Sequence, residues 1–140
     1  MTNRRLAYIV KNQKPLVLSL GETVQHACRC MSECRAGSVL VIDDQQNLRG
    51  IFTGRDALHL LAEGKDATVT TLAQAMTPNP ITITPDSRAI DALRSMTNGG
   101  FRHLPVVDDG KIWGIVARSD FKGIEIDQLE EEEHLWECIH

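Results

Sequence analysis

Aromatic side chains are scarce in this chain, with three Phe, two Trp and one Tyr among 140 residues. The core must therefore be mostly aliphatic, and the basic cluster Arg4, Arg5, Lys11 and Lys14 holds the single ring of Tyr8 and is not accompanied by an aromatic platform for a run of nucleic-acid bases. No apolar run approaches the roughly 18 residues of a membrane-spanning helix. The opening MTNRRLAYIV lacks the apolar stretch and cleavage site of a secretory signal, so the expected location is the cytoplasm. Catalytic signatures are missing too: there is no G-x-S-x-G elbow, Walker loop, H-E-x-x-H helix or G-x-G-x-x-G turn, and the chain reads as a non-enzyme. Of the four cysteines, Cys28, Cys30 and Cys34 crowd into one expected helix. Neighbours there do not reach the Cβ separation of about 3.8 Å that a disulfide prefers, and reduced thiols suit a cytosolic protein.

What is present is the make-up of an ordinary globular domain, 42% hydrophobic and 24% charged. The net charge of −4 is unevenly spread. Residues 1–124 hold all 15 Lys and Arg against 12 acids, whereas 125–140 hold the other 7 acids. Such a tail repels nucleic acid and anionic membrane surfaces. Its Ile126, Leu129, Leu135 and Trp136 make it an amphipathic helix in expectation, not a disordered acidic segment.

The strongest signal is an internal repeat. Shifting the sequence by 65 residues lays LVLSLGETVQHACRCMSECRAGSVLVID (16–43) on ITITPDSRAIDALRSMTNGGFRHLPVVD (81–108), matching Ala27 with Ala92, Met31 with Met96 and Asp43 with Asp108. One residue is lost in the following turn, after which Gly50 meets Gly114 and Asp56 meets Asp120, in GIFTGRD and GIVARSD. Each copy opens with a short β-branched and apolar run, LVLS or ITIT, and continues into a helix. Val24, Ala27, Cys28 and Met31 share one face of the first helix, and Ala89, Ala92, Leu93 and Met96 one face of the second. Two strands joined by an Asp-rich turn follow as a hairpin. In the first copy a last helix buries Ala57, Leu58, Leu60 and Leu61 and stops at Gly64. The reading is an α/β (α+β) fold of two β-α-β-β-α repeats, each too small to bury its sheet alone. Its divisions are an N-terminal segment (1–14), repeat one (15–65), a connection (66–80) with a helical turn at Leu72 to Met76, repeat two (81–124) and the tail (125–140).

The order of elements, twice over, together with AMTPNPITITPDS, FRHLPVVDDGKIWGIVARSD and LRGIFTGRDAL, resembles a tandem pair of CBS domains, a Bateman module, over about residues 15–124. The resemblance implies a stand-alone regulatory module packed with approximate twofold symmetry. Such modules commonly form homodimers, and bind an adenine nucleotide or other adenosyl ligand (AMP, ADP, ATP, NAD or S-adenosylmethionine) as a regulatory ligand in clefts between the repeats. A change so sensed would pass to a protein partner. In the family's G-h-x-T/S-x-x-D pattern the acid accepts hydrogen bonds from ribose hydroxyls, and the hydroxyl residue lies near phosphate at a helix start, where free N–H groups favour an anion.

Carried onto this chain, site one combines Thr53, Arg55 and Asp56 with Thr82, Ile83, Arg102, His103, Leu104 and Pro105. Site two combines Ser119 and Asp120 with Leu18, Gly37, Ser38 and Val39. Ala117 stands there in place of the hydroxyl residue, the Arg102-His103 pair has no counterpart although Arg118 could contribute, and this site is expected to be the weaker. Taken without the resemblance, Thr53-x-x-Asp56 has the form of a helix capping box, and both readings stand for Asp120. A ligand-free interaction or dimerisation module is the alternative function. His26, Cys30 and Cys34 form an i, i+4, i+8 stripe that could hold zinc if Cys138 or His134 joined it, although partly buried thiols at a helix contact are the favoured reading.

Overall fold

The computed structural model describes residues 4–121. The tail and its Cys138 and His134 lie outside the described residues, as does the chain beyond Phe121 where a last helix of repeat two would fall. Two compact units are formed: Lys14–Pro80 is one, and residues 4–13 join residues 81–121 in the other.

In the first-repeat unit the order is β1 (Val17–Ser19), α2 (Val24–Cys34), β2 (Ser38–Ile42), β3 (Leu48–Thr53), α3 (Gly54–Ala62), α4 (Leu72–Ala75) and β4 (Thr77–Pro78). The sheet runs β1-β2-β3-β4, with β1 parallel to β2 and the other pairs antiparallel. Thr23 caps α2 by accepting the His26 N–H at 3.1 Å, and Val24, Ala27 and Met31 turn its apolar face onto Val39, Val41 and Phe52. Asp43 shapes the β2–β3 turn, its Oδ1 accepting the N–H groups of Gln45 and Asn47 at 2.9 and 3.0 Å.

The second-repeat unit holds α1 (Leu6–Val10), α5 (Ala89–Gly99), β5 (His103–Asp108) and β6 (Lys111–Ala117), closed by a 3₁₀ turn at Arg118–Asp120. The run ITIT contributes a single parallel bridge, Ile83 to Val106, where LVLS contributes a strand. Asp109 and Gly110, both at positive φ, make the shorter hairpin turn and account for the lost residue. Both hairpins carry an irregularity at the same point, between Val41 and Ile42 and between Val106 and Val107. The two cores use matching positions, since Ala89, Ala92, Met96, Leu104 and Val106 stand where the first unit has Val24, Ala27, Met31, Val39 and Val41.

Residues outside the two repeats are integral to the units. Leu72 N donates to Glu22 O at 2.8 Å and Ala73 N to Leu20 O at 3.0 Å; in the other unit Leu6 N donates to Ser87 O at 2.9 Å and Ala7 N to Pro85 O at 2.8 Å. Thus α1 is to the second repeat what α4, part of the connection, is to the first. Leu6 and Leu72 are both fully buried. The sequence signal is faint: Leu-Ala after two polar residues, in RRLA and TTLA.

The paired glycines make room for these segments. A Cβ at Gly50 would press on the Met76 sulfur and stand 2.8 Å from Thr77 O; at Gly114 it would lie 2.6 Å from Gln13 Oε1 and 2.9 Å from Val10 Cβ. The Gln13 amide serves as a substitute strand, its Nε2 donating to Ile115 O at 2.7 Å and its Oε1 accepting the Ile115 N–H at 2.6 Å.

The reading of α3 needs correction. Leu60 is buried and Ala57 packs partly against the core, but Leu58 and Leu61 are 66% and 71% exposed. A nine-residue helix lying on a sheet turns one narrow stripe inward, here positions 57 and 60, and its neighbours at about 100° point outward. Gly64 does end the helix, at φ +71° with its N–H on Leu61 O at 3.1 Å.

Gly50→Ala and Gly114→Ala should each destabilise the protein by about 1–3 kcal/mol in chemical denaturation. Gly54→Ala, with nothing within 4 Å of the added carbon, should not. Leu6→Ala and Leu72→Ala should each cost about 2–5 kcal/mol; a near-neutral Leu6→Ala would show α1 to be dispensable.

Candidate ligand-binding loops

The strand β3 ends at Thr53, whose extended backbone (φ −124°, ψ 173°) turns directly into α3. Asp56 sits in the first turn of that helix, half-buried, and its carboxylate is held from three directions. Oδ2 accepts the Thr53 N–H at 2.9 Å and the Thr53 hydroxyl at 3.3 Å, while Oδ1 accepts the Thr77 hydroxyl at 3.1 Å. The cap reading of Thr53 and Asp56 is therefore realised, and a ligand role would be added to it. Arg55 beside them is exposed. Ser38 pairs with Thr53 across the β2–β3 ladder, which brings Gly37, Ser38 and Val39 alongside this loop. Val39 is fully buried in the core and has only its backbone to offer, and Leu18 lies opposite Val41 on the far side of β2.

In the second-repeat unit β6 ends at Ala117, and Asp120 Oδ2 accepts the Ala117 N–H at 2.7 Å. The geometry of the first loop is kept without its hydroxyl. His103 pairs with Ala117 across the ladder, and Arg118 N donates to Arg102 O at 2.9 Å. Arg102, His103, Arg118, Ser119 and Asp120 thus form one group at the end of the β5–β6 hairpin. Arg118 also reaches Thr97 on α5, Nη1 to Oγ1 at 3.4 Å, and Arg4 Nη2 donates to Asp120 O at 3.1 Å. Thr82 is exposed. Ile83 is tied to β5 by its N–H on Pro105 O at 3.0 Å, and Leu104 and Pro105 are buried, so Leu104 holds the strand from within the core.

Each unit therefore brings together residues assigned to different sites: Gly37, Ser38 and Val39 with Thr53 to Asp56, and Arg102 and His103 with Ala117 to Asp120. Thr77 was missed because it lay in a stretch read as a connection.

Burial pushes the His103 imidazole below its ordinary pKa; the positive charge of Arg102 acts in the same direction and the Asp120 carboxylate opposes it. On α2, Cys30 Sγ lies 3.6 Å from His26 Nε2, which is 3.8 Å from a Glu22 carboxylate oxygen. Among the described residues no group of three His, Cys, Asp or Glu side chains could hold a metal ion, so the His26, Cys30 and Cys34 stripe is not a zinc site within them. No described helix is long and apolar enough to cross a membrane.

The model of the CBS domain family matches residues 9–63 and again 69–125. The chain belongs to the CBS domain family, and its fold is that of a CBS pair. It is 45% identical over 100 residues to the CBS domain-containing protein CBSCBSPB2 of Arabidopsis thaliana, a match covering 71% of this chain and 19% of that one. The chain thus spans about a fifth of the length of such plant relatives. A CBS domain protein of Pyrobaculum aerophilum, solved in complex with AMP, superposes with a TM-score of 0.82 at 19% identity, covering 91% of this chain and 99% of that one. The CBS domain pair of protein MJ0100, solved with 5′-methylthioadenosine and S-adenosyl-L-methionine, superposes with a TM-score of 0.77 at 24% identity, covering 90% and 98%.

The depressed pKa of His103 sets a pH dependence. Above about pH 6.5 the imidazole is neutral whether folded or unfolded; as pH falls below that, the unfolded chain takes a proton that the folded one resists. Stability is therefore lost from about pH 6.5 downward, toward the lowered folded pKa. The stability difference between wild type and His103→Gln, measured by denaturant melts from pH 5 to 8, should widen in favour of wild type as pH rises through this window. Parallel curves would contradict the assignment.

Proposed function

We propose that the chain is a non-catalytic sensor that binds an adenine nucleotide or other adenosyl ligand at its two Asp-bearing loops and passes the change to a protein partner. The observation that carries this reading is the duplicated hairpin end. Each presents a carboxylate fixed by the N–H three residues before it, with an arginine beside it, Arg55 or Arg118, and in the second-repeat unit Arg102 and His103 as well. A carboxylate can accept both hydrogens of a ribose diol, and guanidinium groups suit phosphate. The AMP and S-adenosylmethionine held by structurally similar proteins support the ligand class. Tighter binding is assigned to the site built on Thr53 and Asp56, and weaker binding to the site built on Asp120. The working form is taken to be a homodimer, for which the exposed Leu58 and Leu61 offer an apolar helix face. A ligand shifts such a module only by its differential affinity for two arrangements.

A second reading is favoured by the three internal hydrogen bonds of Asp56, which account for that residue as a structural cap. On that view the module works through protein contacts alone.

Calorimetry with AMP, ADP, ATP, NAD and S-adenosylmethionine separates the two. At least one should saturate the protein and, at a hundred times its dissociation constant, add about 2.7 kcal/mol of stability. Asp56→Asn, which keeps an acceptor for the Thr53 N–H, should weaken that ligand tenfold or more, and Asp120→Asn should weaken it less. No binding from any of the five would leave the second reading.

A further inference from the structure

Asp56 and Asp120 occupy matching positions, yet their carboxylates are held differently. A carboxylate has about four acceptor positions. Three of those on Asp56 are filled, two on Oδ2 by Thr53 and one on Oδ1 by Thr77, whereas among the described residues Asp120 takes one bond, from Ala117. Gln13 takes the place beside Ile115 that Thr77 takes beside Ile51, and its side-chain amide bonds the Ile115 backbone and not Asp120. The third donor is thus peculiar to the first-repeat unit.

A vicinal diol needs two acceptor positions where Asp56 has one left. The Thr53 N–H is fixed by the strand-to-helix turn, and the Thr53 hydroxyl is part-buried, so losing its partner would leave it poorly satisfied. Thr77 is exposed and its hydroxyl can turn to water, which makes it the donor most readily given up. It also belongs to β4, a two-residue strand paired to β3 at Gly50 and Ile51 and extended by Asn79 N on Arg49 O at 3.0 Å. Beyond Pro80 the chain passes into the other unit.

We propose that Thr77 is an internal competitor for the Asp56 carboxylate: the diol of an adenosyl ligand displaces the Thr77 hydroxyl and loosens β4, the last element before the chain crosses to the second-repeat unit. The inference rests on the ligand reading above. It gives that reading a covalently continuous route from the bound ribose to the segment joining the units.

The test uses the full chain and whichever of the five ligands binds most tightly. Thr77→Val should bind it about 3- to 10-fold more tightly than wild type, and Thr77→Ser as wild type does. A 2′,3′-dideoxy analogue of the same ligand should not distinguish Thr77→Val from wild type. Equal or weaker binding by Thr77→Val overturns the proposal and leaves the ligand reading intact, whereas no binding by wild type removes both. Hydrogen exchange on wild type guards against a poorly folded variant: the Asn79 amide should exchange faster when ligand is bound, and unchanged or slower exchange would overturn the proposal.

Discussion

Two missing side chains shape most of this structure. Gly50 and Gly114 sit near the middle of the last strand of each hairpin, and over each passes a segment that a single methyl group would obstruct: Met76 and Thr77 over one, Val10 and Gln13 over the other. That close passage lets α4 and α1 cap their hairpins, bury Leu72 and Leu6, and complete two small cores that the repeats alone would leave open. It also means that repeats in the sequence and units in space do not coincide. The helix that completes the second unit precedes the first repeat, and the helix that completes the first lies in the connection. The Asp-bearing loops begin three residues beyond these glycines, so the same packing that closes each core also fixes the strand from which each loop hangs.

Chemically the two loops have diverged on a shared backbone. The N–H to carboxylate bond that spans three residues is common to both, at 2.9 Å for Asp56 and 2.7 Å for Asp120. One loop then adds hydroxyl donors, from Thr53 and Thr77, and the other adds Arg102 and the His103 imidazole to the arginine that each loop carries. Burial makes protonation of His103 harder, so near neutral pH this imidazole is a neutral donor or acceptor and the positive charge at this hairpin end lies on the arginines.

Much of this could be read from the sequence because it depends on short-range pattern. The apolar stripes of α2 and α5, both hairpins, the turn that loses a residue and the Gly64 stop follow from side-chain periodicity and turn chemistry, and the structure has each of them. The failures share a cause. Leu58 and Leu61 look buried in a list of apolar residues, but how wide a stripe a helix buries depends on what it lies against. The parts played by α1, Gln13 and Thr77 depend on contacts between segments far apart in the chain, such as Gln13 with Ile115, which no local pattern announces. The glycine pair was plain in the repeat, whereas its purpose required knowing what passes above it.

The central claim, that the duplicated Asp loops hold an adenosyl ligand, is tested most directly by nuclear magnetic resonance of the isotope-labelled protein titrated with AMP, ATP and S-adenosylmethionine. The account predicts saturable shifts for at least one of them, largest at the backbone amides of residues 53–56 or 117–120 and at the His103 ring. Spectra unchanged by all three, or shifts confined to residues away from both loops, would contradict it.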